Sequence, residues 1–92
     1  MSLPLMEAWA VNPNSEAGAR LVIPEKYKLD SYSITVRDDS NAWTEDATNI
    51  GWCKWTKESI APRDDGTIVI EASLYNWSGD RIRNCRITAI VE

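Results

Sequence analysis

The sequence predicts an all-β fold, a small sandwich of about six to seven antiparallel strands. Three observations predict it. Stretches that alternate apolar and polar residues recur along the chain, turn signals separate them, and no stretch holds a helical period for longer than about a turn. The firmest stretch runs from Gly66 to Val91. Ile68, Ile70, Ala72 and Leu74 fall on one face at period two, with Glu71, Ser73 and Tyr75 on the other. Asn76 to Asp80 then reads as a turn, and Cys85, Ile87, Ala89 and Val91 as the inward face of a returning strand. We expect these two strands to pair as a hairpin.

The returning strand carries a register conflict. Ile82 is one residue out of step with Cys85, and a straight alternation would bury Arg81 and Arg83. Burying unpaired guanidinium groups is very costly. A β-bulge near Asn84 resolves the conflict by turning Ile82 inward and Arg81, Arg83 and Arg86 outward. On a hairpin, Glu71 and Tyr75 would then face the three arginines across the strands.

The other elements follow in order. Leu5 to Val11 is a first strand, apolar on nearly both sides, ended by the turn-forming Asn12-Pro13-Asn14-Ser15. Ala17 to Ile23 is a second, with Ala19, Leu21 and Ile23 inward, and Pro24 stops it. Glu25 to Asp30 is a connector pinned to the core by Tyr27 and Leu29. Tyr32, Ile34 and Val36 form the inward face of a third strand. Asp38 to Asn49 shows no period; Ser40 is placed to cap a helical turn over Ala42 to Ala47. Ile50 to Lys57 is a fourth strand, with Cys53 and Trp55 on one face and Trp52 and Lys54 on the other. Thr56 to Pro62 accommodates a short helical turn, and Asp64-Asp65-Gly66 is a tight turn into the last two strands.

At 92 residues, residues 1–92 are expected to form one domain with a single modest core. Hydrophobic residues make up 43% of the chain, which suits folding rather than disorder. The formal net charge of −4 argues against nucleic acid and anionic membrane surfaces as partners, since both select for basic patches. Met1 to Glu7 lacks the charged and apolar regions of a signal peptide, and no stretch is apolar enough to span a membrane. A cytoplasmic or virion location is the expectation, with Cys53 and Cys85 as reduced, buried thiols that stand close in space.

Catalytic chemistry is hard to build from this set. Histidine is absent, which removes Ser-His and Cys-His activation and the commonest metal ligand. No Gly-rich phosphate motif is present. The carboxylate pairs, Asp38 with Asp39 and Asp64 with Asp65, fall on turns where solvation is the expected state. The acidic segment Asp38 to Asp46 matches no EF-hand spacing, because Asp39-x-Asn41-x-Trp43 puts an indole where an oxygen ligand belongs. The reading is therefore non-enzymatic, without metal or cofactor.

The aromatic set is five Trp, three Tyr and no Phe, which suits boundaries and interfaces as well as cores. We expect two of the Trp to fill the core. Trp43 and Trp77 fall in loops, where an indole anchors a protein contact or stacks on a sugar. Ile70 to Thr88, with its Asn76-Trp77-Ser78-Gly79 turn, resembles the last hairpin of bacterial immunoglobulin-like modules. That resemblance covers about a quarter of the chain, implies an immunoglobulin-like β-sandwich and implies no site residues. The expected function is that of a structural protein acting through protein–protein contacts, such as a phage capsid decoration protein or another virion component, and a homo-oligomer. Its contact would centre on Trp77, rimmed by Arg81, Arg83 and Arg86, against an acidic surface such as the Asp38, Asp39 and Trp43 segment of a neighbouring copy. The alternative is a carbohydrate-binding module using loop Trp.

Overall fold

A computed structural model describes residues 2–37, 43–44 and 53–92. It is all-β. The strands are β1 (Leu3–Val11), β2 (Ser15–Ile23), β3 (Leu29–Arg37), the two-residue β4 (Trp43–Thr44), β5 (Cys53–Pro62), β6 (Ile68–Asn76) and β7 (Ile82–Val91). Two antiparallel sheets stack face to face. Sheet A has the order β1-β7-β3-β4, and sheet B has the order β2-β6-β5.

The expected hairpin does not form. β6 is the centre of sheet B and β7 lies inside sheet A, so the chain crosses between layers after Asn76. Stacking suits these two strands better than pairing. Each has a wholly buried face (Ile70, Ala72 and Leu74 on β6; Cys85, Ile87, Ala89 and Val91 on β7). Opposed across the sandwich, the two faces bury one another, and each strand still hydrogen-bonds a neighbour on both sides. β1 and β2 likewise lie in different sheets, joined through Asn12 to Asn14, with Asn14 at φ 54°. The Trp9 indole N–H donates to Ala17 O at 3.0 Å and ties this corner together.

The expected bulge is present. From Trp9 to Val11, β1 advances two residues while β7 retreats three, from Cys85 to Ile82. Asn84 takes φ 59°, Ile82 is buried, and Arg81 and Arg83 are exposed. The fourth expected strand is shifted: it continues to Pro62, paired with Ile68, so no helical turn forms over Thr56 to Pro62. β5 is an edge strand, and there a terminal proline loses no ladder bond. Residues 50–52 lie outside the described residues.

The core forms two contiguous clusters. The larger contains Leu21, Ile23, Ile34, Ile70, Ala72, Ile87, Ala89 and Val91, with Tyr27 and Leu29 packed against it as expected. The smaller contains Val11, Val36, Cys53, Leu74, Ile82 and Cys85. Trp9 from sheet A and Trp55 from sheet B pack against both, with ring centroids 6.0 Å apart. The edges are blunted by charge: Glu7 on β1 and Glu58 on β5 occupy inward register positions opposite Ile87 and Ala72, yet are exposed. Inward-pointing charge at a sheet edge blocks pairing with another chain's edge.

Candidate functional site

The β6–β7 connection is built on one residue. Asn76 follows Leu74 at period two, so β6 carries it inward, where it is fully buried. A buried amide needs partners, and Asn76 finds them in both sheets. Its Nδ2 donates to Asp80 O at 2.7 Å, with Val11 O and Asn12 O each at 3.3 Å. Its Oδ1 accepts from the Ser78 backbone N–H at 2.9 Å and lies 2.7 Å from the Ser78 hydroxyl. Asp80 N–H donates back to Ser78 Oγ at 3.2 Å. Residues 76–80 are thus a fastened loop. Trp77 stands on it, 45% exposed, with its ring near-parallel to that of Tyr75 at 30° and 6.2 Å between centroids.

Tyr75 lies between the buried Leu74 and Asn76, so it projects from the outer face of sheet B, and Trp77 lies against it. The register sets the rest of that face in rows across β2, β6 and β5. Glu16, Tyr75 and Lys54 form one row; Gly18, Ser73 and Lys57 the next; Arg20, Glu71 and Ser59 a third. Glu71 accepts from Lys57 Nζ at 2.9 Å and from Arg20 Nη2 at 3.2 Å. The Lys57 hydrogen bond, with the Arg20 charge, holds the Glu71 carboxyl below its usual range. Gly18 lets β2 and β6 approach closely, because a Cβ there would run into Ser73 Oγ and Ala72 O.

The three arginines lie elsewhere. Arg86 alternates with the buried Cys85 and Ile87, so it projects from the outer face of sheet A, where its Nη1 sits 3.7 Å from Met6 Sδ. Arg81 and Arg83 line a hollow of about 440 Å³ with Ala8, Trp9, Ala10 and Asn84 at the same face's upper end. Glu71 and Tyr75 therefore do not oppose the arginines as a hairpin would require. Of the residues expected to form the contact, Trp77 and Arg81 lie on the connection between β6 and β7, and Arg83 and Arg86 lie on β7 in sheet A. Trp43 lies in β4, paired through its backbone with Arg37. Asp38 and Asp39 lie outside the described residues, as do the rest of residues 38–42 and 45–52, Trp52 among them.

Apart from Arg86, the described positions that pair across β1, β7 and β3 on the outer face of sheet A are uncharged. By register it presents Pro4, Met6 and Ala8 on β1, Arg86, Thr88 and Ile90 on β7, and Ser31, Ser33 and Thr35 on β3. None of these positions is acidic. Met6 is 53% exposed.

Cys53 and Cys85 are both buried in the smaller core cluster, and neither is in a disulfide. Burial pushes the Cys53 thiol up to about 11 and the Cys85 thiol up to about 12, with the neighbouring Cys53 adding to the shift at Cys85. Such thiols are inert packing groups. Among the described residues, no group of three or more Cys, Asp or Glu is arranged to hold a metal.

Sequence reasoning missed Asn76, Gly18 and the Arg20–Glu71–Lys57 array. Parity was the available signal for Asn76: it extends the Ile70, Ala72, Leu74 series by one inward position. The array became visible once β6 was known to have β2 and β5, rather than β7, as neighbours. Comparison with known proteins found no matching family model, no similar curated protein and no similar solved structure.

Proposed function

We propose that this protein is a non-enzymatic structural component that docks on an acidic protein surface through the outer face of sheet A, as a capsid decoration protein of a phage would. The observation that carries this reading is the composition of that face. In a chain with 14 acids and 10 bases, the described positions of β1, β7 and β3 that pair on this face hold no acid, and Arg81, Arg83 and Arg86 lie on or beside it. Flat, small and uncharged residues around the exposed Met6 suit close apposition of two surfaces, and the arginines supply charge complementarity and orientation. The chain itself, at net −4, offers acidic surface to a neighbouring copy, which supports a homo-oligomer. The missing histidine supports a role without catalysis.

The test pairs Met6→Glu with Arg83→Glu. Both residues are exposed, so unfolding in urea should hardly change. Mass in solution and occupancy on particles assembled in the native host should both fall, and the wild-type association should weaken with salt. A wild-type protein that is monomeric at every concentration and absent from any assembly refutes the reading.

A further inference from the structure

We propose that the outer face of sheet B binds a neutral carbohydrate chain, with Tyr75 and Trp77 as the stacking platform and Arg20, Glu71 and Lys57 as the hydroxyl-binding end. This site is on the opposite face from the docking surface and stands independently of it.

The aromatic end is pre-formed. Trp77 is 45% exposed although the loop under it is fastened by a fully buried Asn76. An indole on a loop fastened in this way loses less freedom when a ligand arrives than one on an unfastened loop. Tyr75, at 6.2 Å and 30°, extends it into one apolar surface. The C–H face of a pyranose ring is apolar and flat on this scale, and it stacks on such a surface while its hydroxyls project sideways.

The polar end lies along the same strand. Glu71 and Tyr75 share the outer face of β6, four residues apart, a run of roughly 13 Å. That is the reach of a short oligosaccharide rather than of one ring. Between them the face is open. A groove of about 430 Å³ runs over Gly18, Ala19, Arg20, Glu71, Ala72 and Ser73. At its end Glu71 accepts from both Lys57 and Arg20. The lowered Glu71 carboxyl is ionised at neutral pH and serves as an acceptor.

This mixture of donors and acceptors decides the ligand class. A vicinal diol donates to a carboxylate and accepts from a guanidinium or ammonium in one pose. A phosphate or sulfate satisfies the cations but is repelled by Glu71, and at the aromatic end Glu16 and Lys54, on either side of Tyr75, offset one another. An exposed ion-pair network contributes little to stability, so a preset array of this kind fits recognition better than support.

The experiment is native-gel retardation through soluble neutral polysaccharides (a glucan, a xylan, a mannan and a galactan), with dextran sulfate as the anionic probe and an array of neutral glycans alongside. The expected result is retardation by at least one neutral polymer, unaffected by salt and accompanied by a change in tryptophan emission. Trp77→Ala and Glu71→Ala should each weaken it at least tenfold while their urea midpoints stay within error of the wild type. Arg83→Glu, on the other sheet, should leave it unchanged, so failure of the docking surface is read separately. No retardation by any neutral polymer and no array signal overturns the proposal. So does binding confined to dextran sulfate and lost in salt, capture by a protein surface that Trp77→Ala abolishes without any sugar binding, or sugar binding that survives Trp77→Ala.

Discussion

Replacing Asn76 by alanine should cost about 3–4 kcal/mol. The figure follows from what the amide holds. Its short contacts, to Asp80 O at 2.7 Å and from Ser78 N–H and Oγ at 2.9 and 2.7 Å, are good hydrogen bonds with a net value of about 1 kcal/mol each. The longer approaches to Val11 O and Asn12 O at 3.3 Å share the remaining proton. Of these carbonyls, Val11 O is buried beneath the loop, and orphaning it adds about 1 kcal/mol. Against a total stability of about 5–10 kcal/mol for a domain of this size, the loss is large. It should lower the melting temperature by more than about 12 °C and move the urea midpoint by about 1 M or more at unchanged slope. A loss below about 1 kcal/mol would refute the reasoning, since it would mean that water replaces the amide without penalty. Asn76→Asp provides a second reading with a sign. A carboxylate there would face three carbonyls, so its pKa in the folded state is raised above the unfolded value of about 3.9. The variant's stability should be present below that value and be lost as pH rises through the folded pKa. Equal stability at pH 4 and pH 7 would show that the side chain is not a donor to carbonyls.

Three further outcomes are expected. Asn84→Val should destabilise by roughly 1–2 kcal/mol because a β-branched residue cannot easily take φ 59°, whereas Asn84→Gly should be tolerated; urea unfolding of the pair checks it. The thiols of Cys53 and Cys85 should label slowly in the native protein and rapidly in denaturant; because burial raises both, to about 11 and about 12, their contribution to stability is complete below the unfolded thiol pKa and should fall away as pH climbs from 9 toward 12. Gly18→Ala should lower the urea midpoint by an amount corresponding to about 1–3 kcal/mol, and Ser73→Ala should restore little of it, because Ala72 O is backbone and cannot turn aside.

Facing was legible in the sequence, and neighbourhood was not. Period two states which side of a sheet each residue takes, so the inward sets on β2, β3, β6 and β7 could be read off directly, apart from Tyr32, which is exposed at the margin of β3. The bulge at Asn84 was legible for a stronger reason: the cost of burying Arg81 and Arg83 left one way to bring Ile82 inward. The turn at Asp64 to Gly66 was equally explicit, with Gly66 at φ 88° and Asp65 Oδ1 accepting from Thr67 N–H at 3.0 Å. Period two is silent, however, on whether consecutive strands share a sheet. The connection over residues 77–81 is compatible with a hairpin and with a crossing between layers. The C-terminal half of β5 defeated the pattern in another way: from Thr56 to Pro62 both sides are exposed, so there was no alternation to read.

The stacking of β6 on β7 also makes two separate surfaces possible. Had the two strands paired, Glu71 would lie in one sheet with Arg83 and Arg86, and the charges would neutralise one another on a single mixed face. Placed in different sheets, each strand exposes only its own outward set. Glu71 then finds its cations on β2 and β5, within a face that also holds Tyr75 and Trp77. The arginines of β7 lie on the other sheet, away from Glu71. A core thick enough for one layer of side chains from each sheet, about 10 Å, insulates the two surfaces. A substitution on one outer face is therefore expected to leave the other unchanged, which is why Arg83→Glu and Trp77→Ala can be read as independent experiments on the same molecule.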